Sequence, residues 1–210
     1  MWLNAISKVY LVNLQKRTDR LIKSAEQFEK YEIPFTVFPA IENSHGGLGL
    51  RDTMVKLFRE CVESGYNSVL VFEDDVMFVE DPVTFHDTMN KAIAQLPDNY
   101  LLFYMGGQAT AGYSHFHSPN LLPAIKYYAT HAVMYSRRAM ITILSMDMGF
   151  PIDNFLVDTV QPMGSCYAIN PILCSQYEGF SDIGQSPMNW DIFIRPKHEE
   201  AISKIPHHAR

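Results

Sequence analysis

The chain has 210 residues, of which 47% are hydrophobic and 19% charged, and its formal net charge is −6. This length suits one domain with a core of its own, and the composition excludes a disordered chain. Lysine and arginine are not clustered, so no nucleic-acid partner is expected, and no apolar run approaches the roughly 20 residues that cross a bilayer. Met1 to Ser7 lack the basic-then-apolar pattern of a signal peptide. Cys61, Cys166 and Cys174 are too few and too scattered for a disulfide framework or a zinc site, which points to a reducing cytoplasm.

Lys8 to Leu14 is a nearly continuous apolar run, as expected of a buried parallel strand. Leu21, Ile22, Ala25 and Phe28 recur at helical spacing, Pro34 stops that helix, and Phe35 to Phe38 reads as a second strand. A loop of small residues, Asn43 to Gly49, precedes a helix expected from Leu50 to Ser64, with Gly65 as its C-terminal cap. Ser68 to Phe72 is the third strand, and it runs directly into Glu73-Asp74-Asp75. Phe85 to Leu96 is amphipathic and stops at Pro97; Tyr100 to Met105 is a fourth strand, ended by Gly106-Gly107.

Beyond that point the rhythm changes. Ala109 to Pro123 reads as a long loop and Ala124 to Tyr135 as one or two strands. Ser136 caps a helix from Arg137 to about Asp147. Pro151 to Val160 reads as a short helix, Tyr167 to Cys174 as a last strand, and the residues from Gly179 onward as weakly patterned. The alternation of strands and helices predicts a single α/β domain over residues 1–185, a mostly parallel central sheet flanked by helices, with a tail at 186–210. Such sheets bind ligands at the carboxyl ends of their strands.

Three consecutive carboxylates repel one another, and the apolar strand before them raises that cost. A solvated acidic turn is the plain explanation. The functional one is a divalent cation, Mn²⁺ or Mg²⁺, whose hard charge offsets the repulsion. In extended backbone Glu73 and Asp75 share a face and Asp74 takes the other.

Several segments then match, in order, those of glycosyltransferase family 25, which the chain resembles over roughly Lys8 to Gln185. They are Val9-Tyr10-Leu11-Val12-Asn13-Leu14 followed by Arg17, Asp19 and Arg20; Val69 to Val76 with the acidic block; Ala129-Thr130-His131 through Ala139; Pro151-Ile152-Asp153; and Gln176 with Ser181-Asp182-Ile183. The family's Gly-Cys…Ser-His pattern before the acidic strand is replaced here by Gly49-Leu50-Arg51-Asp52-Thr53-Met54. The resemblance implies a GT-A-like fold that moves a hexose, galactose or glucose, from a UDP-sugar to a glycan or hydroxylated acceptor. It implies inversion at the anomeric carbon and work of the lipopolysaccharide-biosynthesis kind. An acceptor carried in a membrane would bring the protein to the bilayer surface. The alternative is a member of the same fold that binds a nucleotide sugar or glycan without turnover.

On this reading Asp75 binds the metal, with Asp74 or Glu73 assisting and His131 completing the shell, while Asn13, Arg17, Arg20, Glu73 and Asp74 hold the nucleotide sugar. Arg17 and Arg20 read equally well as charges at a helix start. Asp153 is the expected catalytic base, with Asp158 as the fallback, and Asp153 reads equally as a helix cap. His198, His207 and His208 read as structural or solvated, Gly106-Gly107 as either a turn or a close approach to the sugar, and Tyr113, His115, Phe116 and His117 as a loop anchor or a stacking surface.

Overall fold

The computed structural model describes residues 1–181 and 186–206. Asp182, Ile183, His207 and His208, singled out above, lie outside the described residues. In chain order the strands and helices are β1 (Lys8–Asn13), α1 (Thr18–Lys30), β2 (Thr36–Pro39), α2 (Gly46–Glu63), β3 (Ser68–Glu73), β4 (Val76–Phe78), α3 (Pro82–Gln95), β5 (Leu102–Tyr104), β6 (Gln108–Ala109), β7 (Leu121–Pro123), β8 (Tyr127–Tyr128), β9 (Ala132–Ser136), α4 (Arg137–Leu144), α5 (Ile152–Phe155), β10 (Cys166–Ile169), β11 (Cys174–Gln176), β12 (Gly179–Ser181), β13 (Ser186–Met188) and α6 (Asp191–Ser203).

Seven strands form the central sheet in the order β2-β1-β3-β9-β5-β10-β7. The pairs β1–β2, β1–β3 and β5–β10 are parallel, whereas β9 runs antiparallel between β3 and β5, and β7 is antiparallel at the edge. Five of the seven strands therefore point one way, in an α/β domain with helices on both faces.

Side chains alternate between the faces as the pleat requires. Val12, Val69, Val71, Val133 and Tyr135 pack against Met54, Leu57 and Phe58 of α2 and Met140 of α4. Leu11, Leu70, Phe72, Phe103 and Met134 pack against Phe28 of α1 and Phe85 and Met89 of α3.

The local chemistry of the elements follows the sequence in several places. Ser136 accepts a hydrogen bond from the Ala139 N–H at 3.1 Å, capping α4 as expected. Asp81 caps α3 by accepting from the N–H groups of Val83 and Thr84. Gly65 takes φ +76° beyond the end of α2, a conformation that suits glycine.

Four regions that differ from expectation bear on the site. The expected last strand, Tyr167 to Cys174, is two strands, β10 in the central sheet and β11 paired with β4. Helix α2 begins at Gly46, four residues early, because Gly47 and Gly49 are buried where a side chain would meet Pro151 and the Ile41 carbonyl. The inward face of α1 is Arg20, Ser24 and Phe28, while Ile22 is 61% exposed. Residues 186–206 contain β13 and α6, and Ile194, His198 and Ala201 of α6 are buried. No helix among the described residues is long and apolar enough to cross a membrane, and all three cysteines are buried and free.

Candidate functional site

Strand β3 ends at Glu73, and the chain turns through Asp74 and Asp75 into β4. The inward face of α1 fixes that turn with polar groups one helical turn apart. Arg20 Nη1 donates to Asp74 Oδ1 at 2.7 Å and lies 3.9 Å from Asp75 Oδ2. Ser24 Oγ donates to the Asp74 carbonyl at 3.2 Å, and Gln27 bonds the backbone of Val76 and Phe78. From the other side Tyr177 donates its hydroxyl to the Asp74 carbonyl at 2.5 Å, and Gln176 Nε2 donates to Asp75 Oδ2 at 3.1 Å. Arg20 Nη2 also reaches the Phe180 carbonyl at 2.6 Å.

The three acids thus have different environments. Asp74 is buried and paired with Arg20; burial still dominates and pushes its carboxyl up to about 6. Glu73 accepts from the Thr130 hydroxyl at 2.7 Å, and burial together with Asp75 and Asp153 holds it well above the usual carboxylate range. Asp75 Oδ1 is buried with no hydrogen-bond partner among the described residues.

A cleft enclosing about 720 Å³ of open space, part of it solvent, lies over the ends of β1, β2 and β3 and the start of α2. Its lining includes Lys16, Arg20, Asn43, Gly46, Glu73, Asp74 and Asp75. Asn13 is buried at the end of β1 between cleft-lining Val12 and Leu14; its amide donates to the Leu14 carbonyl at 2.8 Å, and its Oδ1 is unpartnered. Arg17 pairs with Asp19 at 3.0 Å and does not line the cleft. Lys16, Asn43 and Gly46 were not singled out from sequence. Lys16 had a signal, its place just past the first strand; Asn43 and Gly46 had only the small-residue loop.

His131 is fully buried beneath this turn, and neither ring nitrogen makes a well-formed hydrogen bond. Burial pushes its imidazole down, opposed by nearby Asp75 and the Cys174 backbone. Gly106 packs on the same ring, and a Cβ there would stand 1.8 Å from the Cys174 carbonyl oxygen and 2.9 Å from His131 Nε2. The Gly106 approach is therefore made to the protein's own chain. Gly106→Ala is expected to cost about 1–3 kcal/mol, as overpacking does, and to move His131. Thermal unfolding that matched wild type would overturn this.

Asp153 sits in the four-residue helix α5, whose N-cap is Pro151 and which has no side-chain cap. Asp153 is therefore not a cap. Its Oδ1 is buried and unpartnered, and burial lifts its carboxyl to about 6, opposed by the Thr130 hydroxyl. Asp158 is exposed, one π-helical turn further on, and lines a second cavity with His115, His117, Lys126 and Tyr167. The structure brings Asp153, and not Asp158, to the acidic cluster. Tyr113 is a buried anchor that bonds His198 Nδ1 at 3.0 Å, and burial pushes that imidazole down to about 4.

No protein-family model and no curated protein matches the chain. Among solved structures it is similar to A197 from STIV, at 12% identity and TM-score 0.46, covering 87% of this chain and 93% of that one. It is also similar to a glycosyltransferase involved in the glycosylation of the major capsid of PBCV-1, at 15% identity and TM-score 0.44, covering 74% and 76%. A third likeness is to mannose-1-phosphate geranyltransferase from Thermus thermophilus, at 9% identity and TM-score 0.42, covering 76% of this chain and 58% of that one. Likeness this distant says nothing of substrate.

Proposed function

We propose that this chain is a GT-A-type glycosyltransferase resembling family 25. It would move a hexose, galactose or glucose, from a UDP-sugar to a hydroxyl of a glycan or other hydroxylated acceptor, with inversion. One observation carries the reading: the acidic turn lines a cleft at the carboxyl ends of three parallel strands while a separate buried carboxyl, Asp153, stands near Glu73 with an unpartnered oxygen. On this reading a donor site and a base would be adjacent but distinct.

The nucleotide would lie over β1 to β3; Asn13, whose unpartnered Oδ1 is buried between cleft-lining Val12 and Leu14, would meet it only by turning outward. Arg20 is committed to Asp74 and acts mainly by holding the turn. Among the described residues no three His, Cys, Asp or Glu side chains form a metal cage. The donor set fits a hard cation that takes one or two carboxylate oxygens from protein and the rest from phosphate and water. Asp75, through its free Oδ1, and nearby His131 would hold Mn²⁺ or Mg²⁺; Asp74 is occupied by Arg20. When bound, the cation supplies positive charge against the diphosphate. Asp153 accepts the proton of the acceptor hydroxyl, whose oxygen bonds to the anomeric carbon as the bond to the nucleoside diphosphate breaks.

Binding of a UDP-hexose is expected to raise the melting temperature only with Mn²⁺ or Mg²⁺ present, since a ligand that binds the folded state alone stabilises it. Asp75→Asn should abolish that metal dependence or the binding itself. Equal affinity by calorimetry in excess chelator would sink the metal assignment.

The non-catalytic alternative draws on α2. Where the family has its Cys, Ser and His pattern, Arg51 pairs with Asp52 at 2.7 Å and Thr53 bonds the Gly49 carbonyl and the Ile41 N–H. These are structural uses. Tight donor binding without transfer or donor hydrolysis would favour a binder.

A further inference from the structure

The two carboxylate oxygens of Asp75 are not equivalent. Gln176 Nε2 donates to Oδ2 at 3.1 Å, while Oδ1 is buried with no hydrogen-bond partner among the described residues. An ionised carboxylate only accepts hydrogen bonds, so the glutamine must turn its NH₂ group, and not its carbonyl, toward Asp75.

A second donor competes for the same oxygen. Arg20 Nη1 stands 3.9 Å from Asp75 Oδ2, too far for a hydrogen bond. The guanidinium uses Nη1 on Asp74 Oδ1 at 2.7 Å and Nη2 on the Phe180 carbonyl at 2.6 Å, and its buried Nε has no partner among the described residues. Arg20 therefore has donor capacity left over, and a guanidinium readily takes carboxylate oxygens. A shift of about 1 Å would turn its approach to Asp75 into a hydrogen bond.

The backbone on both sides is fixed, so the choice of partner belongs to the Asp75 side chain. β11 pairs with β4, with Gln176 opposite Val76. The Tyr177 N–H donates to the Asp75 carbonyl at 3.1 Å and the Tyr177 hydroxyl to the Asp74 carbonyl at 2.5 Å. The Cys174 N–H donates to the Met105 carbonyl at 3.0 Å, which ties β11 to the end of β5. These bonds bring the Gln176 amide to a carboxylate 101 positions away.

We propose that Gln176 is a positioning residue for the cation: its amide holds Asp75 Oδ2, keeps the carboxylate off Arg20 and leaves Oδ1 free to ligate. The inference rests on Asp75 binding Mn²⁺ or Mg²⁺.

The test is Gln176→Met, which keeps the length of the side chain and removes the amide. Calorimetric titration of Mn²⁺ into the protein with UDP present should show affinity weakened about 10–100-fold, the usual effect of removing a group that hydrogen-bonds a metal ligand. Raising Mn²⁺ by the same factor should restore UDP binding, which a site merely loosened by the substitution would not allow. Metal-free crystal structures should show Asp75 Oδ2 on Gln176 in the wild type and within hydrogen-bond distance of Arg20 in the variant. Gln176→Ala serves the same comparison should the methionine variant not fold.

Unchanged Mn²⁺ affinity, or an Asp75 side chain that stays in place in the variant crystal, overturns the proposal. If Asp75→Asn abolishes Mn²⁺ binding while Gln176→Met leaves it intact, the metal assignment stands and this inference alone fails. If the wild type takes up no Mn²⁺ with UDP, or Asp75→Asn binds it equally well, the metal assignment fails, and this inference with it.

Discussion

Asp153→Asn is expected to lower turnover by roughly 10²–10⁴-fold, the usual worth of general base catalysis, with donor affinity nearly unchanged. The asparagine keeps the shape and removes the proton-accepting charge. Because Asp153 caps nothing, the change does not disturb a helix end. The same substitution has a second readout of opposite sign. Burial raises the Asp153 carboxyl from 3.8 to about 6 in the folded chain. A carboxyl raised on folding favours the folded state in its protonated form, so its stabilising effect is full below about 3.8 and is lost as pH climbs to about 6. Above that, the ionised group costs up to about 3 kcal/mol at about 1.4 kcal/mol per unit. The asparagine variant should therefore be the more stable protein at pH 7, and the two should converge near pH 3.5. Wild-type transfer should decline as pH drops through about 6. Near-normal transfer by the variant would remove Asp153 from the mechanism, and the exposed Asp158 would then need testing in its place.

The acidic turn was legible because β3 is an uninterrupted apolar run that ends in three acids, a local pattern with a local cost. Strand β9, inserted antiparallel beside β3, was not, since its five buried residues carry no sign of direction. On α1 the apolar period favoured Leu21, Ile22 and Ala25, yet the buried face is Arg20, Ser24 and Phe28. Polar side chains can face inward there because each finds a partner on the acidic turn, and Asp74 is 54 positions away from Arg20. In the same way, α6 looked patternless because the buried stripe of Ile194 and Ala201 is interrupted by His198, whose partner is Tyr113. Side chains satisfied across long sequence separations are invisible to periodicity, and here they are the ones that build the site.

Arg20 provides the sharpest test of that construction. Its guanidinium and the Asp74 carboxylate are each 10% exposed, so both charges have been taken out of water. Such a pair adds little over apolar packing, but removing one partner strands the other, at about 3–5 kcal/mol. Arg20→Ala is therefore expected to lower the melting temperature on the order of 10 °C for a chain of this size. It also frees the Phe180 carbonyl, loosening the segment that carries Tyr177 and Gln176 onto the turn. The pH dependence identifies the cause. With Arg20 present, Asp74 titrates at about 6, already above its ordinary 3.8; without the cation it must rise further. Below about 3.8 Asp74 is protonated in both folded and unfolded chains and in both proteins, so no carboxylate is stranded and the deficit should be smallest. It should grow as pH rises through 6, where wild type gains its ion pair and the variant must either bury a bare carboxylate or keep its proton. Adding Asp74→Asn to Arg20→Ala should recover much of the loss at pH 7, because it removes the stranded charge. A deficit equal at pH 4 and pH 8, or a double variant no better than the single, would show that Arg20 acts through packing and the Phe180 contact instead of through Asp74.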